Sequence, residues 1–285
     1  MSLLDRPSRP DGARARPRRL PHRPGRRDAA GGGRHGGRPR AVRELLLIIA
    51  LFTVYKLGRL LAGGRVAEAF DNAHRVWRLE RLLDLPSETG VQQGLLHSDL
   101  LVGAANCYYA YVHFPAAVAF LLWIYLRRPA HYRWVRRVMV ALTGAALVLH
   151  LLVPLAPPRM LPATGLIDTA ALFGPAVYGP PQTDTIANQY AAMPSLHIGW
   201  AAVIALGLVA TSRTRWRWLW VLHPAVTIAV VVGTANHYWL DGVVVLALLA
   251  VGALLLRPPA PHGGRAAGGG RPPAGRVPGL TGQNG

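Results

Sequence analysis

Long apolar runs, rather than strict alternation, dominate the chain. Six stretches approach the roughly 20 mostly apolar residues that a hydrocarbon core requires: 44–62, 99–126, 136–154, 190–210, 217–236 and 238–257. A Pro/Gly-rich stretch, 155–187, separates the third from the fourth, and almost nothing separates the fifth from the sixth. Between the first and second, residues 63–98 are too polar to span. Their Val66, Ala69, Phe70, Val76, Leu79, Leu82 and Leu83 approximate helical spacing among Arg and Glu, which predicts an interfacial helical segment. A packed soluble subdomain is the other reading. The predicted fold class is all-α: an integral membrane six-helix bundle with an outer-face interfacial helical segment and disordered basic tails.

Composition sharpens this. Of 285 residues, 51% are hydrophobic and 16% charged, against about 25% charged in soluble domains, which argues against a cytosolic enzyme. The formal charge is +19, but it is unevenly spread. Residues 1–43 carry 13 Arg and three acids, and 257–285 carry four Arg and no acid. Both segments lack the apolar residues that would offset ordering entropy. They read as disordered cytoplasmic tails flanking a membrane domain, 44–256. Cys107 is the sole cysteine, which excludes an internal disulfide framework and a Cys-based zinc site.

Basic residues also orient the spans. Arg127, Arg128, Arg133, Arg136 and Arg137 follow the second span, and Arg213, Arg215 and Arg217 follow the fourth. With six spans these connections fall on the cytoplasmic side with both tails. The expectation is a plasma-membrane protein with both termini cytoplasmic and 63–98 and 155–187 outside. Trp216, Trp218, Trp220 and Trp239 near span ends fit interfacial aromatics.

That topology brings costly ionisable groups to one outer face. Arg159 follows the third span, His197 lies near the outer end of the fourth, and His237 and Asp241 lie at the turn between the last two. Ionisable residues near a bilayer are functional candidates by default. His223, about 14 residues before His237 and so roughly 21 Å away on a helix, reads as structural. A neutral imidazole can hold a phosphoryl group covalently if a carboxylate fixes its tautomer. Asp241, four residues beyond His237, suits that role on a helix starting near Asn236. A second histidine can protonate the leaving alkoxide, and an Arg fork suits phosphate oxygens. Pro194-Ser195-Leu196-His197 opens the fourth helix, whose N-terminus adds anion donors. No carboxylate cluster or His-x-x-x-His spacing implies a metal, and no cofactor is expected.

The runs "AAMPSLHIGWA" and "TANHYWLDGVV" resemble the second and third signatures of the type 2 phosphatidic acid phosphatase superfamily, over roughly 44–256. The resemblance implies His197 as leaving-group acid, His237 as phosphate-accepting nucleophile, Asp241 as its orienting partner, and Arg159 as the Arg of the first motif. Leu152 and Met160 stand where that motif has Lys and Pro, Leu196 replaces the Gly of PSGH, and Val230-Val231 replace the Ser-Arg of the third. With "PPRML" and "HYWLD", these departures are similar to the branch containing inositol phosphorylceramide synthase. That branch implies transfer of a phospho-headgroup to or from a lipid alcohol.

Lys56, the sole lysine, and Arg59 are i, i+3 neighbours near the outer end of the first span. They either replace the missing phosphate-binding cations or snorkel to headgroups. Asn106, Tyr109 and His113 share a face of the second span by their i, i+3, i+7 spacing. They either bond between helices or line a cavity. Residues 155–187 form a candidate lid, with Asp168 and Asp184 as contacts for a hydroxylated acceptor. The expected partners are the bilayer, a lipid phosphate substrate and a polyol or sugar acceptor, with no nucleic acid. The expected activity is lipid phosphotransfer through a phosphohistidine-type intermediate at the outer leaflet. Lipid phosphate hydrolysis and a non-catalytic transporter or scaffold are the alternatives.

Overall fold

The computed structural model describes residues 41–61, 65–176, 179 and 189–258, without the side chains of 55, 56 and 58–61. Residues 1–40 and 259–285 of the two tails, the side chains of Lys56 and Arg59, and Asp184 therefore lie outside the described residues. Those described are helical, apart from loops and one isolated bridge between Leu155 and Ala191. The helices are α1 (Ala41–Leu61), α2 (Val66–Leu82), α3 (Glu88–Leu96), α4 (Asp99–Tyr111), α5 (His113–Arg127), α6 (Pro129–Leu152), α7 (Thr169–Phe173), α8 (Leu196–Thr211), α9 (Leu222–Gly233) and α10 (Trp239–Leu255). By length and hydropathy, α6 and the 19-residue stretch Arg215–Gly233 can cross a membrane, and a third span is present if the bent pair α4–α5 is one. Helices α8 and α10 are apolar but shorter.

Helix α8 is the hub. It packs on α5, α6, α9 and α10, and small residues let those neighbours approach. A Cβ on Gly199 would stand 2.6 Å from Val245 Cγ2, and one on Gly207 2.5 Å from Phe120 Cζ. At the opposite side, Glu44 of α1 accepts from Tyr132 Oη and pairs with Arg136, tying α1 to α6.

Three expectations gain detail, and the start of the last helix is corrected. The second span, 99–126, is broken by 47° at Val112. Pro115 cannot donate to the carbonyl four residues back, so the ladder fails there. Helix α4 packs on α3, α7 and α9, while α5 packs on α6 and α8. The polar stretch 63–98 is two helices, α2 and α3, separated around Pro86. They pack against the bundle, with Asn72 Nδ2 donating to Pro154 O at 2.9 Å and Val91 and Leu95 against Gly233. The last helix begins at Trp239, not near Asn236, so His237 precedes it.

Candidate active site

His237 sits in the tight turn between α9 and α10. Its Nδ1 lies 3.0 Å from Asp241 Oδ2 and 2.9 Å from Ala192 O. Both partners accept, so Nδ1 carries the proton and Nε2 keeps its lone pair. Asp241 is the third residue of α10 and wholly buried. Its Oδ2 also accepts from Tyr238 N at 3.0 Å. The His–Asp contact is therefore closed by a helix cap rather than by one face of a helix. Ala235, in the same turn, has φ +54°, a left-handed conformation costly to a residue with a Cβ. Its carbonyl accepts from Arg159 N at 3.0 Å, which ties the turn to the 158–160 segment.

His197 is the second residue of α8. Its ring centroid is 5.8 Å from that of His237. Tyr109 stacks on it at 4.5 Å and His113 lies against it at 4.4 Å, with Trp200 behind His113 at 5.3 Å. The break at Val112 makes this contact reachable, because it sets the start of α5 beside the start of α8. Ser195 is fully buried and caps α8, its Oγ accepting from Ile198 N at 3.4 Å.

Arg159 is built from loops. Its Nε donates to Asp168 Oδ2 at 3.1 Å, Nη1 to Asn236 Oδ1 at 2.6 Å and Nη2 to Gln189 Oε1 at 3.3 Å. The Arg159 side chain is 5% exposed and that of Asp168 is 40% exposed, so water screens the carboxylate but hardly reaches the guanidinium. Tyr109, Arg159, Asp168 and Asn236 line a cavity of about 30 Å³, the volume of about one water. Asn106 clamps the neighbouring segment. It donates to Thr169 O and Gly174 O at 3.0 and 2.9 Å, and its Oδ1 accepts from Thr169 Oγ1. Gln92 likewise holds the Ile167 backbone from α3. The segment 161–176 is thus strapped down over the arginine.

The fold brings together His197, His237, Asp241, Arg159, Tyr109 and His113, while Asn106 holds the strap. His223 is elsewhere, 2.9 Å from Tyr108 Oη. Sequence reasoning did not single out Gln189 or the Ala192 carbonyl as site groups, and it treated Asn236 only as a helix start. Asn236 stands next to the nucleophile candidate in "TANHYWLD", which was the available signal. A backbone carbonyl carries none.

Comparisons with curated proteins and with solved structures gave no match. Residues 74–255 match the PAP2 superfamily model. A buried His–Asp pair, a second histidine facing it and an arginine fork suit phosphorus chemistry, and the match covers all four residues: the chain belongs to the PAP2 superfamily, whose enzymes are phosphatases or phosphotransferases acting on lipid phosphates.

Proposed function

We propose that this chain is a membrane lipid phosphotransferase that moves a phospho-headgroup to or from a lipid alcohol through a covalent His237 intermediate. The observation that carries transfer over hydrolysis is the Arg159–Asp168 pair. A monoester dianion needs more positive charge than a singly charged diester, and here the guanidinium already faces a carboxylate. The departures from the superfamily's first and third motifs, and the resemblance to the inositol phosphorylceramide synthase branch, support the same reading.

The proposed reaction runs as two displacements. Arg159 and the N-terminus of α8, capped by Ser195, hold the non-bridging oxygens. His237 Nε2 attacks phosphorus as the P–O bond to the leaving alcohol breaks. His197, protonated, gives its proton to the departing alkoxide. Asp241 stabilises the positive ring that forms. The acceptor hydroxyl then gives its proton to His197 and attacks phosphorus. The P–N bond breaks and both histidines return to their starting states. Tyr109 and His113 keep the His197 ring facing His237.

The six-span arrangement of 44–256, cytoplasmic tails and a site on the outer side of the plasma membrane belong to this proposal. Helix α8, with 16 residues, is about 24 Å long. That is short of a core about 30 Å thick, so its N-terminus can sit below the headgroups while the α2–α3 layer covers it. In a Cys107→Ser background on intact cells, a cysteine at Gln93 should react with impermeant thiol reagents, and cysteines at Arg128 and Arg215 should not. The reverse pattern overturns the orientation.

The activity test compares two reactions of the purified protein in nanodiscs. One is phosphate release from dioleoyl phosphatidate. The other is exchange of isotope-labelled diacylglycerol into phosphatidylinositol. Exchange that survives Lys56→Met and Arg59→Met is expected. Phosphatidate hydrolysis without exchange, collapsing in either variant, would make the chain a lipid phosphatase whose first helix supplies the missing cations.

A further inference from the structure

Two buried carboxyls take no part in the steps above. Glu80 of α2 is 0% exposed and Glu88, the first residue of α3, is 2% exposed. Glu80 Oε1 accepts from Leu240 N at 2.7 Å, a contact across 160 residues. Leu240 is the second residue of α10, so its N–H has no partner within the helix. Glu88 Oε2 pairs with Arg81 Nη2 at 2.8 Å. Glu80 Oε2 and Glu88 Oε1 are buried and have no conventional donor among the described residues. The Glu88 carboxyl neighbours that of Glu80 and raises its affinity for a proton, whereas two ionised carboxyls could only accept. One shared proton satisfies both oxygens. Glu80 holds it, because burial disfavours its charged form.

We infer that Glu80, sharing one proton with Glu88, is a positioning residue for the proposed transfer, pinning the first turn of α10 and thereby the Asp241 carboxylate that orients His237. The inference rests on the reaction proposed above. The physical link is short. Leu240 is adjacent to Asp241, and Asp241 Oδ2 serves both Tyr238 N and His237 Nδ1. A neutral Glu80 also keeps a second negative charge away from buried Asp241. The groups facing Glu80 are Arg81 on its own helix, Glu88 on α3, and Tyr238, Leu240 and Asp241 at the start of α10.

Burial, with Glu88 and then Asp241 nearby, pushes the Glu80 carboxyl up to about 9, while the Leu240 amide pulls the other way. The group is therefore neutral below that pH and charged above it. Turnover should fall as pH rises through this range, when Glu80, Glu88 and Asp241 repel one another.

The experiment measures kcat and KM between pH 6 and 10 for wild type, Glu80→Ala and Glu80→Gln in nanodiscs, with the phosphatidate and phosphatidylinositol probes. Infrared spectra at pH 7 supply a readout independent of activity. Glu80→Ala should lower kcat by about 10²-fold, the order expected when a reacting group is misplaced by about 1 Å, with KM little changed. Glu80→Gln keeps an acceptor for Leu240 and a donor for Glu88. It should restore kcat at pH 7 and lose the alkaline fall. Wild type should show the carbonyl stretch of a buried protonated carboxyl, absent from Glu80→Gln. Wild-type kcat in Glu80→Ala, or an alkaline fall that persists in Glu80→Gln, overturns the inference. So does an active wild type without the infrared band, which leaves the reaction reading standing. A wild type that shows the band but turns over neither probe overturns the reaction reading, and the positioning role with it.

Discussion

The site has two corners built on opposite principles. At the His237 corner the imidazole proton is shared between Asp241 and the Ala192 carbonyl, and Asp241 is fixed in turn by Tyr238 N. Two of those three contacts use backbone atoms, and the carboxylate is wholly buried. At the Arg159 corner the guanidinium reaches side chains from three separate places in the loops, and one partner is 40% exposed. The first corner fixes a tautomer, which tolerates no slack. The second presents a cation whose present partners a ligand can exchange. Preorganisation is strict at the proposed nucleophile and looser at the proposed phosphate-binding cation.

The strongest way to break this contrast is Asp241→Asn. One oxygen serves both Tyr238 N and His237 Nδ1, so the amide either keeps both contacts without the negative charge that stabilises the imidazolium or turns its NH2 to both and loses them. Turnover should fall by about 10⁴-fold, as for the carboxylate of a catalytic triad. Circular dichroism should show the fold retained, and a labelled-phosphate assay should find no adduct on His237. Arg159→Gln removes the cation but leaves the tautomer intact. It should cost about 10²–10³-fold in turnover, the range for one lost donor to transition-state charge. The His237 adduct should still form, slowly, in the same label assay.

Asp168→Asn sharpens the comparison by freeing Arg159. The pair is partly exposed, so screening limits its worth to about 1 kcal/mol or less, and the gain in inhibition by orthovanadate should stay below tenfold. The variant should also shift preference from diester exchange toward monoester release, read as the ratio of the two rates. Ala235→Gly tests the turn that joins the corners. Removing the Cβ at φ +54° should stabilise the fold by about 1 kcal/mol, read from thermal unfolding in detergent. Turnover should drop modestly, because the same glycine loosens the backbone that carries His237.

Elements whose signal is periodic and local were legible in the sequence. The apolar runs correspond to α6, α8, α9 and α10, with ends shifted by a few residues where caps and 3-10 turns intervene. The run 99–126 misled because apolarity reports burial, not direction. Its break at Val112 is a backbone event at Pro115, which a hydropathy window averages away. The stretch 63–98 shows the converse. Its helical spacing was readable, but its destination was not, since Glu80 and Glu88 look like solvated surface charges until α10 is packed over them.

What the sequence determined by itself is the chemistry: the residue types His197, His237, Asp241 and Arg159, and an apolar helical frame with few charges. Motif spacing encodes these, because function groups are constrained near one another in the chain and helices announce their apolar faces. Tertiary structure alone decided the rest. It closed the His–Asp contact through a helix cap, set Tyr109 and His113 against His197 across a bend, and joined Arg159 to Asp168, Gln189 and Asn236. It also drew Glu80 across 160 residues to the start of α10. Such contacts depend on where long-range packing leaves buried hydrogen-bonding groups needing partners, and no local window of sequence carries that information.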